Sequence, residues 1–173
     1  MPMRSPVPDV RPSSVLSRTA LSGGAAALLS LVALMTQSRR DTGTPWTGIN
    51  AVSHWLYGDP ALRRHSLSGR YTAPGVVIHT LSSLLWAGLH RLVLRAVRRP
   101  GVPSIAATAA AVTAVAALTD LRLVPERLTP GFERRLAPRS VALVYVAFAL
   151  GLAAAAGWGR SGRRGSATSA RRG

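Results

Sequence analysis

The sequence predicts an all-α integral membrane protein: four transmembrane helices, with two short interfacial helices in the first and third connections. Two observations carry that prediction. Four uncharged stretches of 20 residues, Thr19–Ser38, Tyr71–His90, Pro100–Thr119 and Ser140–Gly159, are bounded by arginine, with Asp120 closing the third. A helix of that length rises roughly 30 Å, about the thickness of a bilayer's hydrocarbon core. The hydrophobic fraction is 47% even though the connections are crowded with arginine. Charge is therefore swept out of four segments and does not alternate with apolar residues, as it would on a soluble surface.

At 173 residues there is room for one compact bundle. All 22 basic residues are Arg, against 6 acids. With abundant Ala and Gly, this looks like the codon usage of a GC-rich bacterial genome. A pI near 12.0 ordinarily suggests a nucleic-acid partner. Here the arginines flank apolar segments, where they hold topology and meet anionic headgroups. The expected partner is the lipid bilayer, with a second copy or another membrane protein beside it, and no nucleic acid. The absence of cysteine excludes disulfides, thiolate metal sites and cysteine nucleophiles.

An even number of spans puts both termini on one side. The two tails and the second connection carry twelve Arg, and the first and third connections carry ten. Density points the same way, since Arg91, Arg95, Arg98 and Arg99 crowd one short turn. The expected placement is a bacterial inner membrane with both termini cytoplasmic. A cleaved signal peptide is the alternative for the amino end. Against it, the run Ala20–Met35 is long and no small-x-small site follows.

Residues 1–17 carry Pro at four positions and are expected to form a disordered cytoplasmic tail. The transmembrane domain then covers 18–159, with spans at about 19–38, 74–97, 103–124 and 140–159. Gly23 and Gly24 in the first span allow close helix approach, as do Ala147, Gly151 and Ala155 at four-residue spacing in the fourth. Pro74 and Gly75 suit the opening of the second span. In the first connection, Thr44–Pro60 reads as a short helix lying in the membrane interface or capping the bundle, with Trp46, Ile49, Val52, Ser53 and Leu56 on one face. In the third connection, Leu121–Ser140, Thr129 and Pro130 read as an N-cap and first turn, with Phe132 and Leu136 sharing a face. Residues 160–173 read as a disordered basic tail.

Span two has one polar sector. At 100° per residue His79, Ser82, Ser83, Trp86 and His90 fall together, opposite Leu81, Leu85 and Leu92. Polar atoms facing lipid are costly, so this sector should face other helices or a cavity. Asp120 is the one acid at a predicted membrane boundary, and counting rises from the helix ends puts it level with His79. The two could form a proton relay, a cation site or an acid/base couple. They could equally be a pair that docks two helices, or Asp120 could pair with Arg122 or Arg127. His90 lies about 16 Å further along and cannot join that site. His54, Trp55 and Asp59 form a candidate interfacial cluster, with two readings of His54, as a functional group or as a simply hydrogen-bonded one. Haem is disfavoured because no other span carries histidine. Zinc on His54, His65 and His79 with Asp120 or Glu126 lacks ligand spacing. No metal, no cofactor and no catalytic residue are expected.

The stretches NAVSHWLYGD (Asn50–Asp59), RYTAPGVVIHTLSSLLW (Arg70–Trp86) and PERLTPGFERRL (Pro125–Leu136) resemble an uncharacterised family of small four-span bacterial inner-membrane proteins. The resemblance covers most of residues 17–158. It implies an integral membrane protein and carries no activity onto any residue. The expected function is a structural or partner-binding membrane component that is not an enzyme. The competing expectation is an oligomeric proton- or cation-handling protein using His79 and Asp120, and the third is an enzyme acting on a lipid-borne substrate.

Overall fold

A computed structural model describes residues 12–98 and 100–169, with side chains over 16–98 and 100–157. Helix α1 runs Pro12–Thr42. Three short helices follow, α2 (Trp46–Val52), α3 (His54–Tyr57) and α4 (Asp59–Leu62). Helix α5 is Thr72–Ala96, and α6 is Val102–Leu118, continued by a π turn at Thr119–Leu123. Two 3-10 turns, Glu126–Leu128 and Phe132–Arg134, lead into α7 (Pro138–Ser169). No strand occurs among the described residues. Four segments, Leu16–Thr42, Thr72–Ala96, Val102–Leu123 and Pro138–Gly157, are long and apolar enough to cross a membrane.

Small side chains set the packing. α1 lies against α5 and α7, and α6 lies against the same two, so the long helices follow one another around a ring. Ser22, Ala26, Ser30, Leu34 and Ser38 form a buried stripe at four-residue spacing on α1. A Cβ added at Gly151 would stand 2.5 Å from the Cα of Ala26, so the glycine of the expected fourth-span ridge is what lets α1 and α7 meet. Ala26, Ala87 and Ala109 converge with Phe148 and Leu152 at the centre. The outer surface is apolar: Leu81, Leu85 and Leu150 are 60%, 71% and 60% exposed. Ser22, Ser30, Asn50 and His90 are buried instead. Large apolar side chains thus lie on the outer surface as well as in the core.

The connections differ from the sequence expectation. The first is three short helices, not one. Gly58 takes φ 65 and separates α3 from α4. The chain also bends at Ser53, which leaves Leu56 59% exposed while Ile49 and Val52 stay buried. α2 does not lie on a surface: all its residues from Thr47 to Val52 are buried. Helix α5 crosses it at Gly75, which abuts the Ile49 carbonyl. Fully buried Asn50 holds the rest of this connection. Its Nδ2 donates to the carbonyls of Arg64 (3.1 Å) and Ser66 (2.9 Å), and its Oδ1 accepts from Thr72 (2.6 Å).

The third connection is not a helix opened by Thr129. Pro125, Pro130 and Pro138 each lack an N–H and cut it into single turns. Thr129 donates back to the Glu126 carbonyl at 3.0 Å, and Gly131 turns the chain at φ 83. Phe132 and Leu136 do share a burial site, in one core cluster with Leu34, Ile49 and Val144. The long helices also overrun the expected tails. No proline follows Pro12 within α1 or Pro138 within α7, so nothing steric stops either helix at Arg18 or Gly159. The remainder of both expected tails, residues 1–11 and 170–173, lies outside the described residues.

Candidate ligand-binding site

The polar sector of α5 faces inward, as its spacing predicts. Ser83 and His90 are buried, and His79, Ser82 and Trp86 are half-buried. His79 and Asp120 reach one cavity of about 240 Å³ between α5 and α6. Its polar wall also holds Ser30, Thr119 and Tyr145, and Trp55 and Phe132 of the connections roof it. Leu85, 71% exposed, stands at its rim, so the cavity reaches the apolar outer surface between the two helices.

α6 opens this space by being thin. It presents Ala116 to the cavity, and alanine cannot fill the distance to α5. The π turn then takes over at Thr119, where the Val124 N–H donates to the Thr119 carbonyl at 3.0 Å. One extra residue in the turn re-aims the side chains that follow, a device that often marks functional sites. Thr119 and Asp120 are the first two residues of that turn.

His79 and Asp120 share the cavity but not a hydrogen bond. The Ser30 hydroxyl lies 2.7 Å from the Ala26 carbonyl, to which it donates, and 2.9 Å from His79 Nε2. This contact ties α5 to α1 at the level of the cavity. Tyr145 donates to Asp120 Oδ2 at 3.1 Å. Among the described residues no ion pair joins Asp120 to Arg122 or Arg127. His90 sits at the far end of α5, with Nε2 3.1 Å from the Thr108 hydroxyl.

The interfacial cluster comes together in part. His54, 3% exposed, places Nδ1 3.0 Å from the Ala51 carbonyl and Nε2 3.3 Å from the Glu126 carbonyl. Trp55 donates its indole N–H to the Thr129 carbonyl at 2.7 Å. Both residues therefore clamp the first connection onto the third, above the cavity. Gly131 makes room for the clamp, since a Cβ there would lie 2.6 Å from His54 Nδ1. Asp59 is exposed in the first turn of α4 and is not part of the clamp. His65 turns elsewhere, with Nδ1 3.0 Å from the Thr47 hydroxyl. No three His, Asp or Glu side chains among the described residues come together as a metal-ligand set.

Sequence reading missed Ser30 and Tyr145, although Tyr145 carried a signal. A phenol within an apolar span must find a hydrogen-bond partner inside the bundle, and Asp120 is the acceptor within reach. Ser30 carried less, because serine satisfies itself by bonding back to its own helix. The chain matches no known protein-family model, no curated protein and no solved structure.

Proposed function

We propose that the protein is a non-catalytic component of a bacterial inner membrane that holds an amphiphile in the cavity between α5 and α6. The apolar part of the guest enters from the lipid side past Leu85, and its hydroxyl, amine or amide head bonds to the polar wall. The carrying observation is a cavity open at an exposed leucine and ending on His79, Asp120 and Tyr145. Its size suits this role: an aliphatic cavity of about 150 Å³ takes up benzene, so about 240 Å³ accommodates a short alkyl or isoprenoid segment. The first and third connections, which form its roof, lie on the periplasmic side in this reading, with both termini cytoplasmic.

Native mass spectrometry of protein extracted in mild detergent tests the reading. The wild-type chain should retain a non-detergent amphiphile. Ala116→Phe, which places a ring in the cavity, should lose it while keeping its helicity by circular dichroism. Equal retention by both proteins, or none by the wild type, contradicts the proposal.

A second reading has one observation behind it, since His79 and Asp120 line the same cavity. An oligomer could pass protons or cations along that wall. Flux in proteoliposomes that vanished in His79→Ala would favour it over amphiphile binding.

A further inference from the structure

At the opposite end of the bundle, Arg18 of α1 and Arg91 and Arg95 of α5 line a second hollow, of about 170 Å³, over a floor that includes Leu21, Ile105 and Ala155. Arg91 and Arg95 are one turn apart and so share a face of α5. The amino end of α6, at Val102, opens on the same side, and Pro100 just before it contributes to the wall. A helix N-terminus adds partial positive charge.

Among the described residues the acids lie elsewhere. Asp41 is at the far end of α1, Asp59 in α4, Asp120 in the turn after α6, and Glu126 and Glu133 in the third connection. Asp9 lies outside the described residues. Several guanidinium groups thus gather around an apolar floor, and every described carboxylate is at the other end of the molecule. Arginine's planar fork binds phosphate oxygens in pairs. Arg18 directly precedes the uncharged stretch that begins at Thr19, and Arg95 lies one turn beyond Arg91, which ends the second stretch, where the phosphate layer of a bilayer would lie. A free anion would satisfy the arginines but leave Leu21, 58% exposed, and half-buried Leu94 beside them uncovered. An acyl chain covers both.

We propose that this hollow is a binding site for an anionic phospholipid, with its phosphodiester between Arg18 and Arg95 and the start of an acyl chain over Leu21 and Leu94. The proposal rests on reading the long helices as membrane spans, but not on the guest of the first cavity. A chain recovered outside the membrane fraction would fail that reading and this site with it, whereas the lipid measurement fails this site alone.

The test is native mass spectrometry of the full chain in mild detergent doped with equal phosphatidylglycerol and phosphatidylcholine. The wild type should retain phosphatidylglycerol in preference, and excess inorganic phosphate should not displace it. Each lost charge-assisted contact weakens binding about tenfold, so the Arg18→Gln/Arg95→Gln double variant should bind about a hundredfold more weakly. Arg98→Gln, which removes an exposed charge outside the hollow, should bind as the wild type does. Equal retention of both lipids would overturn the proposal, as would full displacement by phosphate. So would a loss in Arg98→Gln as large as in the double variant, because diffuse charge would then account for binding.

Discussion

Asp120 illustrates how a single side chain is fixed by what lies within its reach. A carboxylate at the end of an apolar helix needs donors, and the Tyr145 hydroxyl supplies one from α7 at 3.1 Å. His79 is held separately by Ser30 at 2.9 Å. Reversible unfolding in detergent should therefore show coupling between Asp120→Asn and Tyr145→Phe. Interhelical hydrogen bonds in membrane proteins average about 0.6 kcal/mol and reach about 1.7. His79→Ala and Asp120→Asn should instead add to within about 0.5 kcal/mol. A stronger coupling for the histidine pair would mean that the two side chains meet. At this scale the sequence made the shared level of His79 and Asp120 legible, because helical rise is fixed. It did not make their partners legible, because these come from α1 and α7, whose rotation about their own axes no spacing rule determines.

At the scale of elements, the fold depends on close helix contacts where glycine leaves room. Gly151 stands against the backbone of Ala26, whereas Gly24 has no atom within 4 Å of an added Cβ. Gly151→Ala should push α1 and α7 apart and lower the melting temperature in detergent. Gly24→Ala should leave it unchanged or slightly higher, since alanine is the better helix former by about 1 kcal/mol. Equal effects from the two changes would show that α1 and α7 do not meet at Gly151. The long helices were readable from charge-free length and from the small-residue ridge. The connections were not, because their form follows tertiary contacts: Phe132 is drawn into the core beside Ile49, and His54 and Trp55 reach backbone carbonyls more than 70 positions away. The π turn at Thr119–Leu123 likewise leaves no periodic trace in a stretch this short.

At the scale of the whole molecule, an apolar exterior surrounds a core in which polar side chains lie among apolar ones. Leucines cover the outside of the bundle, a surface that lipid can cover and water cannot. The absence of cysteine makes orientation directly measurable with introduced thiols. In spheroplasts, an impermeant maleimide should label Ser66→Cys, in the first connection, without permeabilisation. It should label Ser161→Cys only after the membrane is opened, and the opposite pattern would invert the proposed topology. The central claim is that the cavity between α5 and α6 takes an amphiphile, and the two tryptophans lining it, Trp55 and Trp86, provide the most direct test. Titration with a brominated alkyl alcohol should quench tryptophan fluorescence saturably in the wild-type protein, and Trp86→Phe should remove most of the saturable part. Ala116→Phe should abolish saturation while keeping the tryptophans. Linear, unsaturable quenching that is the same in all three proteins would contradict the claim, because the alcohol would then be meeting the tryptophans only from the surrounding micelle.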